Sequence, residues 1–353
     1  MKILALMKYG DRAASTRQRL RQYCERLDAH DISVEFEPLL DNTYVENLAL
    51  GRKVDRLRLL SAYWSRIQLL LTRHHFDLIW LHCEAFPYLP GFMERLVFYA
   101  GKPVVYDFDD AIFHQYDNHR NIFVRAMLGG KLKPLLRRVS ASSCGNAYLK
   151  AYAERFCDNS EILPTVVDTN LYRPAPECTR GGPVTIGWIG SPSTWLQLKP
   201  IVPLLLRLRE KFDLHIRVVG AGCVEEHFPE VDFIDWSEEN EVFELQKMDI
   251  GIMPLPDEPW ARGKCGYKLI QYMACGLPVV ASPVGVNAEI VSHGENGFLA
   301  STEEEWHESL TRLAADPDLR RAMGVAGRAR IESEFSLKVQ APRMVELLKS
   351  VAG

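Results

Sequence analysis

Short apolar runs alternate with stretches of helical period along most of the chain, and the alternation restarts once. In the first half the runs at 2–8, 32–38, 77–82, 103–107, 139–144 and 162–167 predict strands. Helical stretches lie between them: 15–27, with a serine and a threonine near its start, a long one over 45–73 broken near Gly51, and 147–156. Residues 168–182 carry prolines, glycines and polar residues without period and predict a linker. Strands are then predicted at 184–189, 215–219, 231–235, 249–255 and 278–282, with helices at 196–212, 241–248, 267–275 and 319–351. Tyr267, Ile270, Met273 and Ala274 recur at helical spacing, and Gly276 and Pro278 stop that helix. Such alternation implies an α/β protein of two doubly wound units, with a ligand cleft between them.

Composition agrees with this and narrows it. A chain of 353 residues suits two cores, and 47% apolar with 25% charged residues is ordinary for a globular protein. No apolar run reaches bilayer length, and 1–7 reads as a first strand rather than a signal peptide. Eight scattered cysteines, without a C-x-x-C pair or zinc spacing, read as reduced thiols of a cytoplasmic protein, with Cys144 and Cys275 as packing residues. The net charge of −4 is uneven: residues 1–175 hold 24 Lys and Arg against 20 Asp and Glu, and the remainder 18 against 26. A basic first half suggests an anionic partner, with solvated helix faces as the plain alternative.

Six stretches offer chemistry. The loop Arg262-Gly263-Lys264-Cys265-Gly266 opens the 267–275 helix, where free N–H groups and the helix dipole favour a phosphate. Lys264 and Lys268 bracket that start and can both reach one diphosphate; two solvated surface lysines are the alternative. The turn Gly187-Trp188-Ile189-Gly190-Ser191 can bring backbone N–H groups to a phosphate, or be a plain strand-to-helix turn. Asp107, Asp109 and Asp110 end a strand, where Asp109 or Asp110 can activate an acceptor hydroxyl or cap a helix. Arg17, in a cluster with Arg19 and Arg21, can bind a phosphate or sit on an exposed basic face. His82 and Glu84 end another strand, a place where a lone histidine is more often structural. Finally, Arg125, Lys131, Lys133, Arg137 and Arg138 alternate with apolar residues over 122–139, which suits an anionic membrane surface or a buried helix pair with a basic outer face.

The run LIQYMACGLPVVASPVG followed by GENGFLA resembles the nucleotide-sugar signature of retaining glycosyltransferases of family 4, of the GT-B fold. The resemblance is strongest over 183–300 and collinear, though weaker, over the N-terminal half. It implies two Rossmann-like doubly wound domains facing each other across a cleft: 1–170 for the acceptor, a linker at 171–182, 183–335 for the nucleotide sugar, and 336–353 as a helix crossing back to the first domain. It also implies transfer of a sugar from a nucleotide-diphospho-sugar to an acceptor hydroxyl with retention, in bacterial surface polysaccharide or glycolipid assembly at the inner face of the membrane. The leaving diphosphate would be stabilised by Lys264, Lys268 and the 187–191 turn during front-face attack, without a covalent nucleophile. No metal or other cofactor is expected, since the D-x-D metal role belongs to the other glycosyltransferase fold, and no nucleic acid partner is implied. Catalysis then falls to Lys264, Lys268, Asp109 and Asp110. Donor binding falls to Gly190, Ser191, Gly263, Gly266, Lys264, Lys268 and Gln271, and the acceptor side to Arg17, Asp107 and His82.

The sequence departs from the family pattern in two places. The family's two glutamates, eight apart, align with Gly263 and Gln271. Gln271 can still bond a ribose diol, and Gln271→Glu, which restores the family residue, should leave binding intact or improve it. Asp257 and Glu258, slightly upstream, are the alternative source of the lost carboxylate. The arginine and lysine that follow the glycine turn in the family are missing from SPSTWLQLK, whose Lys199 comes too late, so Lys264 and Lys268, with Arg262, are expected to take over their charge. An inverting GT-B enzyme and a non-catalytic nucleotide-sugar-binding subunit are the competing expectations.

Overall fold

The apolar runs become two parallel six-stranded sheets. The computed structural model describes residues 1–49, 55–176, 182–224, 226 and 228–353. It divides into two compact units: Met1–Thr165 with Arg262–Cys265 and Gln340–Gly353, and Val166–Ala261 with Gly266–Val339. The break expected near Gly51 and part of the expected linker lie outside the described residues.

In the first unit the strands are β1 (Lys2–Tyr9), β2 (Ser33–Leu40), β3 (Leu78–His82), β4 (Val104–Phe108), β5 (Ala141–Cys144) and β6 (Ser160–Ile162), in the order β2-β1-β3-β4-β5-β6. Strands β3, β4 and β5 are buried along their whole length. Strands covered on both faces lose the in–out alternation, so they appear in the sequence as continuous apolar runs. In the second unit β7 (Val184–Ile189), β8 (Leu214–Val219), β9 (Val231–Ile234), β10 (Ile250–Met253), β11 (Val279–Ala281) and β12 (Gly297–Leu299) are ordered β12-β11-β10-β7-β8-β9. Alternate side chains feed two cores: Val279 and Ala281 pack with Leu269 and Met273, while Val280 packs with Ile252, Leu205 and Leu310. Helices therefore cover both faces of this sheet.

Several element boundaries differ from those expected. The sixth strand is Ser160–Ile162, not 162–167, because the Ser142–Ser160 hydroxyl bond (2.6 Å) belongs to a register that pairs Cys144 with Ile162. The 15–27 helix is divided into Ala14–Arg19, a 3-10 turn Arg21–Tyr23 and Cys24–Asp28, with Leu20 leaving helical geometry at φ −123°, ψ −63°. The Thr16 hydroxyl caps nothing and donates to the Tyr9 carbonyl at 2.9 Å. The 196–212 helix starts earlier, at Pro192, and changes to a 3-10 turn at Lys199–Ile201 before Val202–Arg209, where Pro200 and Pro203 remove N–H donors. The C-terminal stretch is two helices, Pro317–Glu334 and Leu337–Ala352, preceded by an unforeseen one at Glu303–Ala315.

Residues 122–139 also differ from the expectation. They form helices Ile122–Leu128 and Lys133–Leu136, and Lys131 between them turns inward. Its ammonium lies 2.7 Å from Glu84 and 3.0 Å from Glu94, all three side chains being buried. Two buried carboxylates need a cation, so Lys131 is unavailable to a lipid surface and Glu84 is structural. Among the described residues no helix is long and apolar enough to cross a membrane.

Candidate functional site

In the first unit, register lines up polar residues at the strand ends. His82 pairs with Asp107 and Asp107 with Ser143, which places the three side by side across β3, β4 and β5. Arg19 is fully buried over this row. Its Nη2 and Nε donate to Asp107 at 2.5 and 3.1 Å, its Nη2 to Ser143 Oγ at 3.1 Å, and its Nη1 to the Leu163 carbonyl at 2.8 Å. Burial works against the guanidinium charge, but Asp107 outweighs it and holds the arginine's pKa above its ordinary value. Asp107, expected on the acceptor side, is fully buried and committed to Arg19, because a buried guanidinium requires a charged partner.

Beyond this row the acidic stretch reaches a partly exposed position. His82 Nε2 lies 3.3 Å from Asp109 Oδ1. Burial opposes protonation of His82, yet Cys83 and Asp109 beside it raise its pKa well above the usual imidazole value. Burial likewise pushes Asp109 up, and the His82 hydrogen bond with the charges of His82, Arg19 and Lys264 brings it below the usual carboxylate range. Asp110 is raised, by burial first, although Lys264 counteracts this from 3.4 Å. Asp109 and Asp110 thus sit together in two different electrostatic states, with His82 and Lys264 as partners. Neither carboxylate caps a helix: the next one, His114–Asp117, has Phe113 at its N-cap. Arg17 bonds the Asp11 and Arg12 carbonyls at 3.0 and 2.9 Å, on its own turn.

The loop carrying Gly263 and Lys264 is held by Asn146. This residue caps the helix Ala147–Ala153 through the Leu149 N–H (2.9 Å), and its amide donates to the Gly263 and Lys264 carbonyls at 3.0 and 3.1 Å. A Cβ on Gly263 would stand 2.4 Å from the Ala111 methyl and 2.9 Å from the Ala111 nitrogen, so the position that carries a glutamate in the family has no room for one.

In the second unit the glycine turn and the helix Tyr267–Ala274 meet. Gly266 takes φ +65° at the helix N-cap, and a Cβ there would lie 2.5 Å from Ile290 Cδ1. Lys268 Nζ sits 5.4 Å over the Trp188 ring, and Tyr272 OH accepts from the Ile189 N–H at 2.8 Å, which ties this helix to the end of β7. Ser191 begins the next helix, its N–H donating to Thr194 Oγ1 at 2.9 Å. Lys199 is ion-paired with Glu226.

Gln271 is placed differently from its sequence role. It is buried, and its amide donates to Glu241 Oε1 at 2.8 Å and to Tyr172 OH at 3.4 Å. Glu241 also accepts from Tyr172 OH and from Trp236 Nε1, the latter at 2.5 Å. The carboxylate beside Gln271 is therefore Glu241, 30 residues upstream. Gln271→Glu is accordingly expected to destabilise rather than improve the protein, by about 1–3 kcal/mol at neutral pH, because two carboxylates would share one buried contact. Urea denaturation checks this, and the deficit should shrink as pH falls and one carboxyl regains a donor proton. Tyr172, Glu241 and Asn146 were not singled out in the sequence; only Asn146, ahead of a helical stretch, carried a local signal.

Residues 185–316 match the family described as "Glycosyl transferases group 1". Among curated proteins, the alpha-maltose-1-phosphate synthase of Mycolicibacterium smegmatis is 37% identical over 92 residues, 24% of either chain. The GDP-mannose-dependent monoacylated alpha-(1-6)-phosphatidylinositol monomannoside mannosyltransferase of Corynebacterium glutamicum is 34% identical over 86 residues, 24% of this chain and 23% of that one. The chain thus matches about a quarter of the length of these relatives. Among solved structures, HepE of Anabaena in complex with UDP-glucose has a TM-score of 0.73 at 18% identity, over 99% of this chain and 100% of that one. That likeness shows the fold: two parallel sheets with helices, the α/β GT-B fold of glycosyltransferases.

Proposed function

We propose that the protein transfers a sugar from a nucleotide-diphospho-sugar to an acceptor hydroxyl. The observation that carries this reading is the family match over 185–316, laid on a helix that opens at a left-handed glycine with Lys268 beside the 187–191 turn. The second unit takes the donor: the helix start at Gly266 and the Lys268 ammonium meet the diphosphate beside the 187–191 turn, whose Gly190 and Ser191 N–H groups are held by the Val219 carbonyl and Thr194 Oγ1, without a metal ion. The first unit takes the acceptor, with Asp109 and Asp110 beside its hydroxyl and Lys264 and His82 setting their charge. Transfer with retention, by attack from the face the diphosphate leaves, is the fuller reading, for a surface polysaccharide or glycolipid. The purified protein should slowly release nucleoside diphosphate from one member of a nucleotide-sugar panel, with or without chelator. Binding without release would leave a donor-binding subunit; neither binding nor release across the panel would refute the reading.

The acceptor is proposed to be lipid-borne, with the protein at a membrane surface. Ile122, Phe123 and Met127 are exposed on one short helix beside Arg125, and Leu57, Leu60 and Trp64 on the helix Arg56–Thr72. The protein is expected to co-sediment with anionic vesicles and to be released by salt, since surface attraction is screened within about 10 Å at 0.1 M. Equal partition onto neutral vesicles would count against it.

A further inference from the structure

The end of β3 brings three different donor atoms together. His82 Nε2 lies 3.3 Å from Asp109 Oδ1 and 3.5 Å from Cys83 Sγ, and the three ligand atoms are all within 4.8 Å of one another. A strand does not produce this, since adjacent residues point to opposite faces. Here the Glu84 N–H donates to the His82 carbonyl at 2.9 Å and Cys83 takes φ +62°, closing a three-residue turn of the strained kind. The Cys83 N–H is fixed by the Asp107 carbonyl at 2.8 Å. This turn folds the thiol back toward the imidazole of its own neighbour.

Hydrogen bonding accounts poorly for the cluster. One Nε2 proton cannot serve a carboxylate and a sulfur together, and 3.3 Å is long for a bond to a charged group, which normally closes to about 2.7–2.9 Å. A metal ion accounts for the two separations from Nε2. With zinc bonds of about 2.0–2.1 Å to nitrogen, 2.3 Å to sulfur and 2.0–2.2 Å to oxygen, tetrahedral angles put N···O at about 3.3 Å and N···S at about 3.6 Å. The observed separations are 3.3 and 3.5 Å. Charge agrees as well. Once His82 gives up its proton to become a ligand, Arg19 and Lys264 alone face Asp107, Asp109 and Asp110, one negative charge in excess. A Cys83 thiolate adds another, and a divalent cation neutralises both.

We propose that His82 Nε2, Cys83 Sγ and Asp109 form a site for a thiophilic divalent cation of the zinc class, with the fourth position open to solvent or a ligand. Binding releases the Cys83 thiol proton and the His82 Nε2 proton to water. The sulfur and nitrogen donors select against magnesium and calcium, which prefer oxygen. All three ligands belong to the first unit. On the acceptor reading above, an ion here takes His82 and Asp109 away from the acceptor and acts as an inhibitor; the binding itself does not depend on that reading.

Cobalt(II) added to the reduced, metal-free protein tests it. One equivalent should produce a thiolate-to-cobalt charge-transfer band in the near ultraviolet, together with the visible bands of a four-coordinate ion. Zinc should displace it and excess magnesium should not. Cys83→Ser should abolish the sulfur band. Asp109→Asn should weaken binding by more than the roughly 10–100-fold that losing an outer partner costs. Cys223→Ser, at an exposed thiol of the second unit, should leave the band unchanged. In the unmutated protein, zinc should protect Cys83 from alkylation, read by peptide mass spectrometry, so the outcome does not hang on a variant's folding. The proposal is overturned by a wild-type spectrum without a sulfur band, by a band that survives Cys83→Ser, or by equal alkylation of Cys83 with and without zinc. Nucleotide-sugar turnover plays no part in these readouts, so failure of the transferase reading would leave them standing.

Discussion

Replacing Arg19 with methionine is expected to destabilise the first unit by about 3–5 kcal/mol, because it leaves the Asp107 carboxylate buried without its cation. Both side chains have no solvent exposure, and the guanidinium also holds Ser143 and the Leu163 carbonyl, so one substitution strands several buried acceptors. Methionine matches most of the volume, and the loss is therefore electrostatic rather than a cavity. Urea denaturation followed by circular dichroism reads the effect. The double variant Arg19→Met with Asp107→Leu should recover much of it, since replacing a buried pair by apolar residues of similar volume is often close to neutral. A single variant that loses less than about 1 kcal/mol would show that water or a rearranged neighbour satisfies Asp107, a cost in the range of an ordinary hydrogen bond.

Lys268→Ala is expected to lower kcat by about 30- to 1,000-fold, the equivalent of about 2–4 kcal/mol of transition-state stabilisation, and to change donor KM much less. Charge on the diphosphate grows as the sugar leaves, so an ammonium at the helix start gains interaction in the transition state over the ground state. The substitution is a clean probe. Lys268 is half-buried, and its ring contact with Trp188 at 5.4 Å is worth only about 0.5–1 kcal/mol, so folding should survive. Steady-state kinetics with saturating acceptor decides it. A variant with the wild-type rate would remove this helix from the diphosphate and with it the central assignment of the donor side. Lys264, in the first unit and paired with Asp110, should act differently: its loss removes the ion pair of Asp110 and leaves both carboxylates to His82, with Arg19 still acting on Asp109.

Much of the architecture was legible locally. Strands buried on both faces are written as apolar runs, so 78–82, 104–108, 184–189 and 250–253 could be located within a residue or two. The glycine before Tyr267 and the Gly276-Leu277-Pro278 stop marked a helix whose ends the structure puts at Tyr267 and Ala274. Glycine and proline act through the backbone of their own turn, and such signals survive without tertiary context. Boundaries set by side chains reaching elsewhere did not survive: Leu20 breaks a helix beside a buried Arg19, and the Ser142–Ser160 bond shifts β6 toward the N-terminus.

The sequence alone determined the fold class and the loop-and-helix device, because periodicity and special backbone residues are properties of neighbours along the chain. Only the tertiary structure decided what each polar side chain meets. Arg19 finds Asp107 across 88 residues, Gln271 finds Glu241 across 30, and Asn146 reaches the Gly263 carbonyl across 117. Lys131 looked like one basic residue among five until two buried glutamates claimed it. Strand order and register determine such pairings. The cost of burying an unpaired charge then requires each partner to be present, and neither strand order nor that cost is written in the residues on either side of an aspartate or a lysine.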